Sequence, residues 1–388
     1  MFDIVNEAKT ALDLLENAGF KAYLVGGCVR DSILGRTFND YDITTNALPE
    51  QIKNVFSSYR VIETGIKHGT VTVLINGLPF EITTFRIDGE YTDNRHPENV
   101  IFSTSISDDL SRRDFTVNAM AYNGKLIDFF GGIEDLRGKI IRCVGDPDKR
   151  FNEDGLRIMR ALRFASVLGF DIEENTSDSI LRNKHLLKNI SRERICSELQ
   201  KLITGIYAEK IIKKYAEVFD EIFMGKNFAH KSNYLNVQDA PPVVAFSVFF
   251  LHDNFFEEDL KSLKVSNEVY YNCCKVIKNY NTILTPDKVF IKRFLNEYGE
   301  KTYKHLSDLQ KSQGINNELS DRIFDNIITE GECYTIDRLN INGEILKRLG
   351  LKDRQIGIAL KKLLDAVIES SVQNEENELI NYTKENLI

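Results

Sequence analysis

The apolar positions in the first third of the chain follow two periods, which predicts helices and strands in mixed order. Val5, Ala8, Leu12 and Leu15 lie three or four residues apart and predict a helix. Runs rich in β-branched and aromatic residues predict strands at 21–25, 40–44, 70–75, 80–85 and 126–130. Helices are predicted between them, at 29–34, 49–56 and 108–122. Together these elements predict a mixed α/β region that ends near residue 138.

The pattern changes in the remainder of the chain, where strand signals fade. From about residue 152 onward apolar residues recur at helical intervals, interrupted by Pro241-Pro242 and Thr285-Pro286. A chain of 388 residues is also too long for one ordinary core. We therefore predict an α/β head over 1–138, an all-α neck over 139–206, and an all-α body and tail over 207–388.

Two segments of the head carry stronger local signals. Asn76-Gly77 between the runs 70–75 and 80–85 predicts a β-hairpin, with Leu78-Pro79 lengthening its loop. Residues 86–97 have no apolar period and are rich in charges and turn formers, which is typical of a mobile surface loop.

The composition is that of a globular protein, with 42% hydrophobic and 28% charged residues and a formal net charge of −8. No apolar run approaches the roughly 18 residues of a membrane span. The mixed, acidic N-terminus does not resemble a signal peptide, so we expect a cytoplasmic protein without a membrane partner. The six cysteines form no C-x-x-C pair and lack nearby histidines, which argues against a zinc site or a disulfide framework.

One segment departs from the acidic balance of the whole chain. Residues 149–214 hold 14 Lys and Arg against 9 Asp and Glu. Two interpretations fit this excess equally well. The segment could bind a polyanion such as nucleic acid, or its charges could belong to solvated helix faces.

The strongest candidate chemistry lies at Asp40 and Asp42. Side chains two residues apart on a strand point to the same face, so two carboxylates would share one site. Such a pair is repulsive without a cation, and carboxylate oxygens combined with substrate phosphates suit Mg²⁺. Gly26-Gly27 upstream would let backbone N–H groups approach those phosphates. The alternative is a pair of solvated turn acids, but Arg30-Asp31 and the glycines at these spacings favour a metal site.

Glu81 stands inside an otherwise apolar predicted strand and therefore needs a partner. It could be a third carboxylate of the metal site. It could equally be an edge-strand or salt-bridged glutamate, and the residues alone leave both interpretations open.

Four motifs in order carry a family resemblance that covers nearly the whole chain. They lie at residues 26–42, 109–121, 153–164 and 191–199. Together they resemble the class II tRNA nucleotidyltransferases, the CCA-adding enzymes, within the poly(A) polymerase and DNA polymerase beta superfamily. The resemblance implies a polymerase-beta-like nucleotidyltransferase head with a mixed sheet and helices.

The resemblance also implies a reaction, in which a nucleotidyl group passes from CTP or ATP to the 3′ end of tRNA and pyrophosphate is released. Asp40 and Asp42, together with Glu81, would hold two Mg²⁺ ions. The basic neck and the helical body would hold the tRNA acceptor end by its backbone. The implied nucleotide-binding residues are Gly26, Gly27, Arg30, Arg112, Arg113, Asp114, Asp154, Arg157, Arg160 and Arg163.

Some of these residues have a physical rationale of their own. Arg112 and Arg113 can donate charge-assisted hydrogen bonds to phosphates, and Asp114 can accept one from a ribose hydroxyl. Asp154 and Arg157, three residues apart on one predicted helix face, match the amino group and the ring nitrogen that cytosine and adenine share. The alternatives are a solvated basic pair for the first set and a simple ion pair for the second.

Rival functions are separated only in part by the sequence. An enzyme that adds only the terminal A would keep these motifs and stays open, whereas the loop at 88–95 argues against a CC-adding enzyme. Segment 64–71 resembles the CCA-adding form rather than a poly(A) polymerase. His252-Asp253 matches part of a metal phosphohydrolase, but only His230 stands nearby, so we expect no metal there. A non-catalytic RNA-binding protein is disfavoured because both acids of the D-x-D pair are present.

Overall fold

The computed structural model describes residues 4–38, 40–63, 65–66, 69–88, 100–223 and 237–388, and the chain divides into two compact units. The first unit is Met1–Gln238 with Ser262–Lys264, and the second is Asp239–Lys261 with Val265–Ile388. The predicted boundaries at 138 and 206 both lie within the first unit and stay predictions. None of the described helices is both long and apolar enough to cross a membrane.

The first unit begins with a mixed α/β region. Its elements up to the hairpin are α1 (Asn6–Asn17), β1 (Ala22–Val25), α2 (Gly27–Ile33), β2 (Tyr41–Thr45), α3 (Pro49–Val55), β3 (Arg60–Ile62), β4 (Thr70–Ile75) and β5 (Leu78–Thr84). They are followed by β6 (Arg86–Asp88), β7 (Val100–Phe102), α4 (Ile106–Ser111), a 3₁₀ turn (Thr116–Asn118), β8 (Met120–Asn123) and β9 (Lys125–Asp128).

The rest of the first unit is mainly helical. Its elements are α5 (Gly132–Gly138), β10 (Ile140–Ile141), α6 (Pro147–Glu153), α7 (Leu156–Leu168), β11 (Asp171–Ile172), α8 (Glu174–Asn183), a 3₁₀ segment (Lys184–Asn189), α9 (Arg192–Ile203), α10 (Ala208–Lys214) and α11 (Ala216–Ile222). Strands β10 and β11 form a separate short parallel pair.

The described residues of the second unit are helical, without a strand. Its elements are α12 (Pro242–Phe250), α13 (Phe256–Ser262), α14 (Asn267–Lys278), α15 (Lys288–Tyr298), α16 (Glu300–Ser312), α17 (Glu318–Thr329), a 3₁₀ turn (Ile336–Arg338), α18 (Gly343–Arg348), α19 (Arg354–Ile368) and α20 (Glu376–Asn386). Leu346, Leu363 and Leu379 bring the last three helices into one fully buried cluster. The predicted fold class, an α/β head followed by helices, is confirmed.

The sheet of the head has seven strands in the order β3-β4-β5-β2-β1-β8-β9. Strands β2 and β5 run parallel, and the other neighbouring pairs of this sheet are antiparallel. In this register Asp42 on β2 lies opposite Glu81 on β5 and opposite Val25, the last residue of β1. The central strand therefore carries Asp42 beside the turn that leads from β1 into α2.

The predicted helix at 108–122 is wrong beyond its first turn. Helix α4 ends at Ser111, and the chain continues through the 3₁₀ turn into β8. The physical reason is burial on all sides: Phe115, Val117, Ala119 and Ala121 are all fully buried. A segment that is buried on both faces lacks the alternation of apolar and polar residues that marks a strand, so sequence periodicity does not distinguish it from a buried helix.

The hairpin prediction is confirmed in place but wrong in loop length. Ile75 pairs directly with Leu78, so Asn76-Gly77 alone forms the turn and Leu78-Pro79 belongs to β5. Both turn residues have positive φ angles, as the favoured two-residue hairpin turn requires.

Helices α7 and α9 pack closely, and Gly205 just after α9 allows this. A Cβ atom on Gly205 would lie 2.2 Å from the Ser166 Oγ atom and 2.6 Å from the Ser166 carbonyl carbon. The Ser166 hydroxyl already donates to the Leu202 carbonyl at 2.7 Å. Because backbone atoms are involved, rotation of a side chain alone does not make room for a methyl group.

We expect Gly205→Ala to lower the free energy of unfolding by about 1–3 kcal/mol, the usual cost of overpacking. The matched control is Gly357→Ala on α19, where a Cβ meets nothing within 4 Å. That change should stabilise its helix by about 0.5–1 kcal/mol because alanine has the higher helix propensity. Denaturant unfolding of both variants checks the opposite signs, and a neutral Gly205→Ala would contradict the close approach.

Candidate active site

A cavity of about 480 Å³ in the first unit collects most of the predicted site residues. Nine of them line it: Gly26, Gly27, Arg30, Asp40, Asp42, Arg113, Asp114, Arg160 and Arg163. The remaining four, Glu81, Arg112, Asp154 and Arg157, do not. A larger cavity of about 560 Å³ lies in the second unit, but Glu318 is the one charged residue in its lining. The chemistry therefore points to the first cavity.

The carboxylates of Asp40 and Asp42 line this cavity, and Glu81 is the residue paired with Asp42 on the neighbouring strand β5. Asp42 on β2 is half-buried, whereas Asp40, one residue before the strand, and Glu81 on β5 are exposed. Burial raises the pKa of Asp42; the positive charge of Arg113 opposes that rise, and the carboxylates of Glu81 and Asp40 add to it. This rise in pKa indicates that neither water nor Arg113 fully compensates the negative charge of Asp42.

This surplus of negative charge fits a divalent cation. Within the described ranges, no group of three or more His, Cys, Asp or Glu side chains is arranged to hold a metal ion by itself. Mg²⁺ is usually bound by one or two carboxylates together with substrate phosphates and water. Asp40 and Asp42 match that incomplete type of donor set.

Gly26 makes the close approach of opposite charges possible. Its φ angle of 74° is one that side-chain-bearing residues rarely adopt. A Cβ atom there would lie 3.1 Å from Nη1 of Arg113 and 3.5 Å from Oδ2 of Asp42. The glycine thus leaves room for the guanidinium and the carboxylate on the same side of the turn.

Asp109 was missed as a functional candidate, although it organises the arginine pair. Its carboxylate accepts bonds from Arg112 Nε and Nη2 at 3.0 and 2.7 Å, and from Arg113 Nη2 at 3.2 Å. The spacings i,i+3 and i,i+4 near the end of α4 were the available sequence signal. Arg113 faces the cavity, while Arg112 does not line it.

Three guanidinium groups surround one buried aromatic ring. The guanidinium carbons of Arg30, Arg160 and Arg163 lie 5.0, 5.3 and 3.9 Å from the ring centroid of Phe164 on α7. Cations over an aromatic face are attracted by its quadrupole. The ring therefore gathers positive charge on one wall of the cavity, and neither Phe164 nor this gathering was identified from the sequence.

Each of these arginines also has an acidic partner. Arg30 pairs with Asp31 at 2.7 Å, and Arg163 pairs with Glu198 on α9 at 2.8 Å. Arg160 pairs with Asp114 at 2.6 Å. These partners hold the guanidiniums in fixed positions, and the sequence signal for Glu198 was only its place in the fourth motif.

Asp114 is the most strongly bound acid of the site. It is buried, accepts from Arg160 Nε at 2.8 Å, and accepts from the Phe115 amide and the Asn118 side chain. Burial alone would raise its pKa, but the charge of Arg160 and the bonds from Asn118 and Arg160 outweigh this and lower the pKa to about 2. Asp114 is therefore ionised and acts only as an acceptor at neutral pH.

Asp154 and Arg157 do not share a helix, contrary to the prediction. Asp154 is extended between α6 and α7, whereas Arg157 lies in the first turn of α7. The Asp154 side chain accepts from the Leu156 amide at 3.0 Å, a local bond that competes with continuous helical pairing, and Gly155 is the N-cap residue of α7.

Both residues are already held by neighbours. Asp154 Oδ2 accepts from Arg194 Nη2 at 2.8 Å. Arg157 donates to Glu153 at 2.6 Å and to the backbone carbonyl of Arg112 at 3.1 Å. Through this contact Arg157, predicted to recognise the base, lies next to the backbone of Arg112, one of the two arginines predicted to bind phosphate.

Two further candidates add no chemistry to the described residues. Burial raises the pKa of the Cys28 thiol, which lines the cavity, to about 11, so it is protonated at neutral pH and is no nucleophile. His252 packs edge-on against Tyr280, and the Asp253 carboxylate accepts a hydrogen bond from the Phe255 amide at 2.9 Å. His230, residues 89–97 of the predicted loop, and Thr64, Lys67 and His68 of segment 64–71 lie outside the described residues. The first three residues of that loop, 86–88, were predicted wrongly, because they form strand β6 paired with β7.

The lowered pKa of Asp114 predicts a pH-dependent contribution to stability. A carboxylate with a folded pKa near 2 and an unfolded pKa near 3.9 stabilises the fold above about pH 4 by roughly 2 kcal/mol, and this is lost as the pH falls toward 2. We expect Asp114→Asn to be less stable than wild type at pH 7 and 5, with the gap narrowing at pH 4 and 3. Thermal melting at each pH checks this, and a gap independent of pH would contradict it.

Three family models match successive parts of the chain. "Poly A polymerase head domain" matches residues 22–142, and "Probable RNA and SrmB- binding site of polymerase A" matches residues 169–218. "tRNA nucleotidyltransferase domain 2" matches residues 243–383.

Relatives with a known name match over most of the chain. The CCA-adding enzyme of Lactobacillus helveticus is 36% identical over 403 aligned residues, covering 99% of this chain and 98% of the relative. The CCA-adding enzyme of Anoxybacillus flavithermus is 40% identical over 287 residues, covering 71% and 72%.

A solved structure matches just as broadly. The Bacillus stearothermophilus CCA-adding enzyme in complex with CTP has a TM-score of 0.83 and 31% identity, covering 98% of this chain and 96% of that one. With the nucleotide-sized cavity and the four motifs in place, these similarities show that the chain belongs to the CCA-adding enzymes and is a tRNA nucleotidyltransferase.

Proposed function

We propose that this enzyme adds C, C and A in turn to the 3′ end of tRNA from CTP and ATP, releasing pyrophosphate, without a nucleic-acid template. The observation that carries the proposal is the cavity itself. Its lining combines the carboxylates of Asp40 and Asp42 with the guanidiniums of Arg113, Arg160 and Arg163, which supports the binding of a metal and a triphosphate together. We place the reaction in the cytoplasm on the composition of the chain.

The arginines are suited to bind the triphosphate. Phosphate oxygens are well matched by guanidiniums that are fixed in direction and carry several N–H donors. Arg30 and Arg163 are held by Asp31 and Glu198, so little side-chain freedom is lost when phosphate binds. Arg113 lies at the turn of Gly26, where it can bridge between the triphosphate and Asp42.

The family uses a divalent metal, and we propose that here it is Mg²⁺ held by Asp40 and Asp42, with Glu81 as a third carboxylate. Two Mg²⁺ ions held there would supply this chemistry: one would lower the pKa of the attacking 3′-hydroxyl, and the other would neutralise the triphosphate. Burial raises the pKa of Asp42 most, and the like charges of Glu81 and Asp40 add to the rise against the opposing charge of Arg113, so a bound cation would relieve an unfavourable negative charge there. No side chain of this chain is then needed as a general base.

Base selection falls to Asp154 and Arg157 in this proposal. Asp154 accepts from the amino group and Arg157 donates to the ring nitrogen that cytosine and adenine present side by side. Uracil and guanine present a carbonyl and an N–H in those places, so both contacts become repulsive. Arg194 and Glu153 hold the two side chains in direction.

The function is tested with tRNA ending at the discriminator base, tRNA ending in CC, and complete tRNA, each with every nucleotide in turn and Mg²⁺. We expect CTP to extend the first substrate by two residues, ATP to extend the second by one, and neither to extend the third. Extension of the CC-ended tRNA alone would assign the enzyme to A addition, and extension by long A tracts would assign it to poly(A) synthesis.

Asp42→Asn removes one charge with little change of shape, and we expect it to lower nucleotide incorporation by at least about 10³-fold, because several kcal/mol of charge stabilisation are lost. The affinity for tRNA should change less than about twofold. Asp13→Asn, at an exposed position of α1, is the control. Unchanged turnover of Asp42→Asn would refute the metal assignment. Normal activity of Glu81→Gln would show that Glu81 is not a metal ligand and affects Asp42 only through its charge.

Arg157→Ala should weaken the preference for CTP over UTP by about 10- to 200-fold, as expected for about 1–3 kcal/mol per lost bidentate contact. The ratio of kcat/KM for the two nucleotides measures this. Lys201→Ala, at an exposed position of α9, is the matched control and should leave the ratio unchanged. Full discrimination in Arg157→Ala would assign base selection to other residues.

A further inference from the structure

We propose that Asp109 is a positioning residue for nucleotide binding, acting through Arg113. The inference rests on the proposed function, since it concerns how the phosphate-binding arginine is held. Asp109 contacts neither the cavity nor the carboxylates of the metal site, so its effect on the reaction is indirect.

The first observation is the asymmetry of burial within the ion-pair cluster. The Asp109 side chain is fully buried, whereas the side chains of Arg112 and Arg113 are each 18% exposed. Burial alone would raise the pKa of Asp109, but the charges of Arg113 and Arg112 hold it below its usual value. The acid is thus a fixed internal anchor, and the arginines are the parts that extend outward.

The second observation is the division of the two carboxylate oxygens. Oδ1 accepts both bonds from Arg112, at 3.0 and 2.7 Å. Oδ2 accepts from Arg113 at 3.2 Å and from the Thr44 hydroxyl at 3.2 Å. The oxygen that binds the cavity-facing arginine is therefore the one tied to the sheet.

Thr44 gives this tie its functional meaning. It is a fully buried residue of β2, two positions after Asp42, and it therefore lies on the same face of that strand. One carboxylate oxygen thus links Arg113 to the strand that carries Asp42. Two features therefore determine how far Arg113 lies from Asp42. Asp109 holds the arginine by a hydrogen bond, and the missing side chain of Gly26 leaves room for the guanidinium beside the Asp42 carboxylate.

A purely stabilising role would leave nucleotide kinetics unchanged once the protein is folded, and this separates the two explanations. Asp109→Asn keeps the shape and one oxygen acceptor but removes the charge that holds Arg113. We expect the KM for CTP and ATP to rise and kcat/KM for the nucleotides to fall at least about tenfold, the loss typical of a charged hydrogen bond. The KM for tRNA should stay within about twofold.

Asp108→Asn is the matched control, one residue earlier on α4. The Asp108 carboxylate accepts a hydrogen bond from Ser103 at 2.6 Å, whereas Arg112 and Arg113 donate to Asp109. It should retain wild-type nucleotide kinetics. If Asp109→Asn proves too unstable to study, Thr44→Val removes the hydroxyl that contacts the same carboxylate oxygen and also the Thr83 carbonyl, both at 3.2 Å, and should raise the nucleotide KM severalfold.

A double-mutant cycle gives the decisive measurement. In the Arg113→Ala background, adding Asp109→Asn should change kcat/KM for CTP less than about twofold, because the group through which it acts is already gone. Multiplicative effects of the two changes, or an unchanged nucleotide KM in folded Asp109→Asn, would overturn the proposal.

Equilibrium binding of CTP with Mg²⁺, in the absence of tRNA, separates this proposal from the proposed function. A wild-type protein that binds CTP but does not extend tRNA would refute the proposed function. The weaker CTP binding of Asp109→Asn relative to Asp108→Asn would still support the positioning role. Equal CTP affinity of these two variants would refute the positioning role even if the wild type extends tRNA.

Discussion

The site depends on holding unlike charges close together without letting them collapse onto one another. The central strand β2 carries Asp42 into register with Glu81, which concentrates negative charge at one point of the sheet. Arg113 is brought to the same point through the gap at Gly26. In the proposed assignment the sheet fixes Asp42 and Asp109 fixes Arg113, so that the first charge can bind a metal and the second a triphosphate.

A second set of unlike charges, held apart in a similar way, also lines the cavity. Arginines from α2 and α7 converge on Phe164, and the acids Asp31, Asp114 and Glu198 hold them from behind. Like-charged guanidiniums this close would repel in isolation. The acidic partners neutralise part of the positive charge and fix the direction of the guanidinium groups, and the face of the Phe164 ring offsets part of the repulsion.

The sequence predicted those parts of the molecule whose information is local. The D-x-D pair and the Asn76-Gly77 turn were predicted from the spacing of neighbouring residues, whereas the nucleotide-binding arginines were assigned through the family resemblance. The bonds of Asp109 to Arg112 and Arg113 are local, and their i,i+3 and i,i+4 spacing could have been found in the sequence. The contacts of Asp109 with Thr44, of Phe164 with Arg30 and of Glu198 with Arg163 join segments far apart in the chain, so the sequence alone did not predict them. The predicted helix at 108–122 was wrong because residues 115–121 are all buried, and burial of both faces removes the alternation that marks a strand.

On the proposed assignment, selection of the base does not require the existing contacts of Asp154 to break. Oδ1 accepts from the Leu156 amide and Oδ2 from Arg194, but a carboxylate offers about four lone-pair sites. An amino group can therefore be added as a further donor while both holding bonds persist. A carbonyl in that place meets a carboxylate that is fixed in direction and cannot turn away, so rigidity itself supplies the discrimination.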